Sequence, residues 1–173
     1  MTHAQQSNAA ICQCGKTIIA LTGAPILSAT CYCRSCRTAG QQFEHDLGAP
    51  QTVNASGGVD YSSYRKDRIK IAQGAENLRE YRLKPDSPTR RVVAMCCHSP
   101  MFTDFTLGHW LSIFRGRVPG APASQILVMT KDKPDGATLP AGIPGYNTMP
   151  PGFMVKLIAS WAAMGFRRPK IIW

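Results

Sequence analysis

The stretch Cys31-Tyr32-Cys33-Arg34-Ser35-Cys36 decides how this chain is read. It sets three sulfur donors within six residues, and one tight turn can bring donors so spaced onto a single metal ion. Upstream lies Cys12-Gln13-Cys14-Gly15, and downstream the adjacent pair Cys96-Cys97. Residues i and i+2 of an extended chain point to one side, so Cys12 and Cys14 form a two-point clamp. Gly15 then lets the chain turn sharply. The adjacent pair is harder to use. Neighbours on a strand face opposite sides, so Cys96 and Cys97 reach one ion only where the backbone kinks.

Seven cysteines is an odd count, and residues 1–10 have neither a basic start nor an apolar run. A leader peptide and a disulfide framework are therefore not expected. The cysteines divide instead as four and three. Four thiolates close a structural zinc site, whereas three leave a position open for water or substrate. Inert buried cysteine is the ordinary alternative, and it applies most to Cys96 and Cys97.

The rest of the composition bounds the fold. The 173 residues are 44% hydrophobic and 17% charged, with 15 Gly and 13 Pro. That is one domain's worth of chain, with many turns and short strands rather than a helical bundle. Collagen, coiled coil and wholesale disorder are excluded. No run of apolar residues is long enough to span a bilayer, and the cytoplasm is the expected compartment. A net charge of +10 points towards anionic partners: a small anionic molecule, a nucleic acid or a membrane surface.

Four segments follow along the chain. Residues 1–10 read as a flexible polar arm and 11–132 as a zinc-binding β domain. Residues 133–152 read as a Pro/Gly-rich loop and 153–173 as a C-terminal helix with a basic tail. Strands are expected at 16–21, 26–33, 69–72, 78–83, 92–97, 110–114 and 125–129. Residues 34–47 are ambiguous, with a short helix from Ser35 as one reading. A helix fits 151–164, with Pro in its first turn, Phe153, Leu157 and Trp161 on one stripe, and Gly165 as its cap. Its apolar stripe packs on its own sheet or on a homodimer partner; a membrane surface is the other reading, since Arg167, Arg168 and Lys170 follow.

Three motifs taken together, Cys12-x-Cys14-Gly15, Cys31-x-Cys33-x-x-Cys36 and Cys97-His98-Ser99-Pro100, resemble the glutathione-dependent formaldehyde-activating enzyme family and its centromere protein V-like relatives. Gly74-Ala75-Glu76-Asn77-Leu78 adds to the likeness, which spans roughly residues 10–115. The resemblance implies a mainly β, zinc-binding fold (a β-tent or sandwich-like sheet), here with a C-terminal helix. It implies two Zn2+ ions, one structural and one catalytic with an open position. It also implies carbon–sulfur lyase activity, joining glutathione to formaldehyde or a similar small aldehyde. Cys12, Cys14 and Cys97 match the structural site, and Cys31, Cys33 and Cys36 match the catalytic one. The late motif departs from the family's Cys-x-x-Cys, whose first cysteine falls on Ala94. Cys96 is the nearest replacement donor, and His98 is the other candidate.

Arg34, Arg37 and Arg65 are candidates for holding an anionic thiol. A non-catalytic zinc module of the same fold is the second reading. Nucleic-acid binding is the third, resting on basic clusters around Arg65, Arg79, Arg115 and Arg167 with Tyr61, Tyr64 and Tyr81 among them. No recognised nucleic-acid motif accompanies them.

Overall fold

Short runs of β-branched and aromatic residues, cut by Gly and Pro turns, build two open sheets in the computed structural model, which describes residues 7–173. The strands are β1 (Ser7–Ile11), β2 (Ile18–Thr22), β3 (Leu27–Cys31), β4 (Val59–Arg65), β5 (Ile69–Gln73), β6 (Leu78–Tyr81), β7 (Thr89–Ala94), β8 (Ser99–Phe105), β9 (Trp110–Phe114), β10 (Ile126–Val128) and β11 (Gly145–Tyr146). Two helices join them, α1 (Arg34–Leu47) and α2 (Pro151–Ala162). The fold is mainly β with a C-terminal helix, as expected.

The smaller sheet has the order β1-β2-β5 and the larger the order β11-β10-β3-β4-β9-β8-β7-β6. Pairing is antiparallel except between β3 and β10 and between β10 and β11, which are parallel pairs. Alternation along each strand decides which side chains enter which layer. Ala10, Ile19 and Leu21 of the small sheet meet Tyr64, Leu111, Ile113, Phe102 and Val92 of the large one, all buried. Val93 points the other way and receives Ala39 and Phe43 of α1. Leu27 and Ala29 of β3 receive Phe153 and Leu157 of α2, so that helix does pack on its own sheet.

Several expectations need correction. Ser7–Ile11 pairs with β2, so the arm expected over 1–10 contains a strand; residues 1–6 lie outside the described residues. The strand expected over 92–97 stops at Ala94, and residues 95–98 form a turn with His98 at φ 54°. The ambiguous stretch 34–47 takes the helical reading, as a 14-residue helix that begins inside the three-cysteine motif and is ended by Gly48 in the left-handed conformation. The Pro/Gly-rich loop carries β11. The tail folds back: the Arg90 guanidinium lies 4.6 Å over the Trp173 ring and donates to the carbonyl of Ile171.

Candidate metal centres and the adjoining cavity

The first cluster grows from a tight turn after β1. Cys12 donates its amide to the Thr17 carbonyl, while the Gly15 amide donates to the Cys12 carbonyl, with Gly15 at φ 76°. That loop leaves the sulfurs of Cys12 and Cys14 3.6 Å apart. The turn after β7 brings up the other pair. Cys96 Sγ lies 3.7 Å from Cys12 Sγ and 3.4 Å from Cys14 Sγ, and 4.0 Å from Cys97 Sγ. All four sulfurs fall within 4.8 Å of one another. A tetrahedron with metal–sulfur bonds of about 2.3 Å has edges of about 3.8 Å, so this donor set fits a zinc-sized ion. His98 is not among the grouped donors.

The protein holds these sulfurs from outside. The Thr17 amide donates to Cys12 Sγ at 3.2 Å, and the Thr17 hydroxyl lies 3.7 Å from Cys96 Sγ. Ser99 Oγ lies 3.2 Å from Cys97 Sγ and accepts from the Gln13 amide. Burial alone would raise the Cys97 thiol, but the Ser99 hydroxyl and the Cys14 amide bring it down to about 6. Burial pushes Cys96 up to about 12, with Cys14 and Cys12 adding to the rise against the Thr17 hydroxyl.

Gly74 braces this corner. It sits at φ 73°, and a Cβ there would overlap the Lys16 carbonyl and lie 2.7 Å from Thr17 Oγ1. Gly74→Ala should therefore cost more than about 1 kcal/mol. The measurement is the urea midpoint. Gly116→Ala, where a Cβ meets nothing within 4 Å, should leave it unchanged.

The second cluster joins the end of β3 to the start of α1. Cys33 caps the helix: its sulfur accepts from the Cys36 amide at 3.4 Å. One turn later Cys36 swings back towards Cys31, and the three sulfurs lie within 4.8 Å of one another. Tyr32, between them, turns inward and bonds its hydroxyl to Ser56 at 2.7 Å. Hydrogen bonds from Cys31 and Cys36 pull the Cys33 thiol down to about 2, whereas Cys31, bonded to Cys33 and Cys36, is pushed up. Tyr61, in the cluster against which Cys36 packs, hydrogen-bonds to Thr103, and burial raises its phenol well above the usual value.

A cavity of about 570 Å³ lies beyond a layer of side chains from this trio, and none of the three cysteines lines it. Val53 and Phe114 line it, and Phe114 belongs to the buried cluster against which Val53, Cys31 and Cys36 all pack. Its polar walls are Asn54, Asp60, Arg115 and Arg117. Arg115 is paired with Asp60 at 2.7 Å, but Arg117 has no carboxylate partner among the described residues. Glu44 of α1 accepts the amides of Thr52 and Val53, which ties the 51–55 wall to the same helix that carries Cys36. At the other end Arg117 reaches Ser99, the residue against Cys97.

All seven cysteines fall into the two groups expected from spacing. The basic residues do not behave as the sequence suggested. None of Arg34, Arg37 and Arg65 lines the cavity; Arg37 donates to the Asp132 carbonyl, and Arg65 pairs with Asp67. Sequence reasoning treated Arg115 and Arg117 as part of a dispersed basic surface. Their only local signal was an Arg-Gly-Arg turn after a strand. Tyr61 and Tyr64 are buried, so neither offers a face for stacking bases.

Comparison with known proteins agrees with the motifs. None of the curated proteins compared matches the chain. Among solved structures, a Rhodobacter sphaeroides protein is similar over 80% of this chain and 98% of its own, at 15% identity and a TM-score of 0.46. A family model described as glutathione-dependent formaldehyde-activating enzyme matches residues 7–116, a span that holds both cysteine clusters, and the chain belongs to that family.

Proposed function

We propose that this protein is a zinc-dependent carbon–sulfur lyase that joins an anionic thiol of the glutathione type to formaldehyde or a similar small aldehyde. The observation that carries the reading is the three-sulfur cluster, packed against the Phe114 that also lines a cavity whose Arg117 has no carboxylate partner among the described residues. All-sulfur donor sets favour zinc. Cys12, Cys14, Cys96 and Cys97 would hold a structural ion, and Cys31, Cys33 and Cys36 a catalytic one. Zinc at the second set supplies a soft acceptor that keeps an incoming sulfur deprotonated at neutral pH.

The chain's own residues do the rest. Arg117, with Arg115 behind it, binds the carboxylates of the thiol. Val53 and Phe114 form an apolar wall that keeps water from the sulfur. Tyr61, anchored by its hydroxyl to Thr103, packs behind Cys36. In the net reaction a bond forms between the thiol sulfur and the carbonyl carbon. The thiol proton ends on the former carbonyl oxygen, and the reverse reaction undoes both changes.

The test follows hemithioacetal formation from formaldehyde and glutathione by NMR. A rate above the protein-free control supports the reading, and a rate equal to it removes it. Loss of a charged hydrogen bond is worth about 1.5–3 kcal/mol, so Arg117→Gln should raise KM for glutathione about tenfold or more. Bound zinc should be unchanged in that variant. A non-catalytic zinc module is the second reading, favoured by the altered late motif, and it predicts no rate above the control.

A further inference from the structure

Helix α2 has two apolar sides, and the fold uses one. Phe153 and Leu157 are buried against the sheet. On the far side Met154, Val155 and Ile158 are 44%, 64% and 57% exposed. Their spacing sets them on one stripe, which the exposed Pro151, Ala159 and Ala162 extend. Lys156 and Ser160 are the only polar side chains in the twelve residues of the helix. A helix apolar on all sides is normally covered on all sides. Beyond the helix Phe166, 60% exposed, continues the surface.

The charge carried by α2 and the segment after it has one sign. From Gly136 to Trp173 the sequence contains no Asp or Glu, but it contains Lys156, Arg167, Arg168 and Lys170. Arg168 is stacked 4.5 Å over the Trp161 ring, which sets a cation beside the helix end. Asp67 does not offset it, being tied to Arg65, whose guanidinium also donates to the Ala163 carbonyl. Two copies meeting through this face would set like charges against each other. An anionic lipid surface meets both features: an acyl boundary for the stripe and phosphates for the cations. Among the described residues no helix is long and apolar enough to cross a bilayer, so the contact would lie along the surface.

We infer that the outward face of α2, with the basic segment that follows it, docks on anionic lipid bilayers. The probes are vesicles of phosphatidylcholine alone and of phosphatidylcholine mixed with phosphatidylglycerol, with the intact protein followed by co-sedimentation. The protein should pellet with the mixed vesicles, stay free with the neutral ones, and be released by high salt. Val155→Glu combined with Ile158→Glu should weaken binding at least about tenfold, with metal content and circular dichroism unchanged. Lys156→Glu combined with Lys170→Glu provides a second arm, free of any change to the apolar stripe, and should weaken it likewise. A protein that remains in the supernatant with both vesicles overturns the inference. So does a wild-type dimer, seen by sedimentation velocity, that the Val155 and Ile158 changes dissolve, because a second copy would then be the cover.

Discussion

Cys14→Ser should leave little folded protein. The side chain is exposed, and an exposed substitution without a special role shifts stability by no more than about 0.5 kcal/mol. A ligand of a structural zinc is different. Binding of such an ion is worth about 10–16 kcal/mol in small zinc modules, comparable with the whole stability of a domain, about 5–15 kcal/mol. Four sulfurs here pin the turn after β1 to the turn after β7, and so fix the small sheet over the large one. The expected result is an aggregated or molten product, seen as loss of near-ultraviolet dichroism and of the thermal transition. Stability equal to the parent would mean that the cluster does not bear the fold.

Cys33→Ser should separate chemistry from folding. Cys33 is the N-cap of α1, and serine is among the best residues for that position. The helix start therefore survives, and the loss falls on the donor set alone. Bound zinc is expected to drop from near two per chain to near one. The thermal transition should move little, and hemithioacetal formation should fall to the protein-free rate. Retention of both ions, or of the activity, would disprove the assignment of the trio as the catalytic site.

The sequence made the metal chemistry plain because ligand spacing is local. Cys12 with Cys14, and Cys31 with Cys33 and Cys36, need only a turn to converge. Cys96 and Cys97 were legible only as a condition, that the backbone must kink there. The kink is present: β7 ends at Ala94, and His98 takes a positive φ. What escaped depends on distant pairing. Arg115 and Arg117 become cavity walls because β9 pairs with β4, which sets Arg115 against Asp60. Tyr61 looked like one of several surface aromatics until Ala29 and Phe114 were found as its neighbours across two strands. The helix over 34–47 was obscured because its start doubles as a ligand motif and its sequence has few strong apolar repeats.

Pairing along β3 carries a consequence for divergence. The family match ends at residue 116, yet β10 lies beyond it and runs alongside β3, with Val128 opposite Cys31. The last third of the chain is thus a splint on the strand that delivers the first sulfur of the trio. Drift in that appended portion can retune the reactive end of the molecule while every cysteine stays where it is.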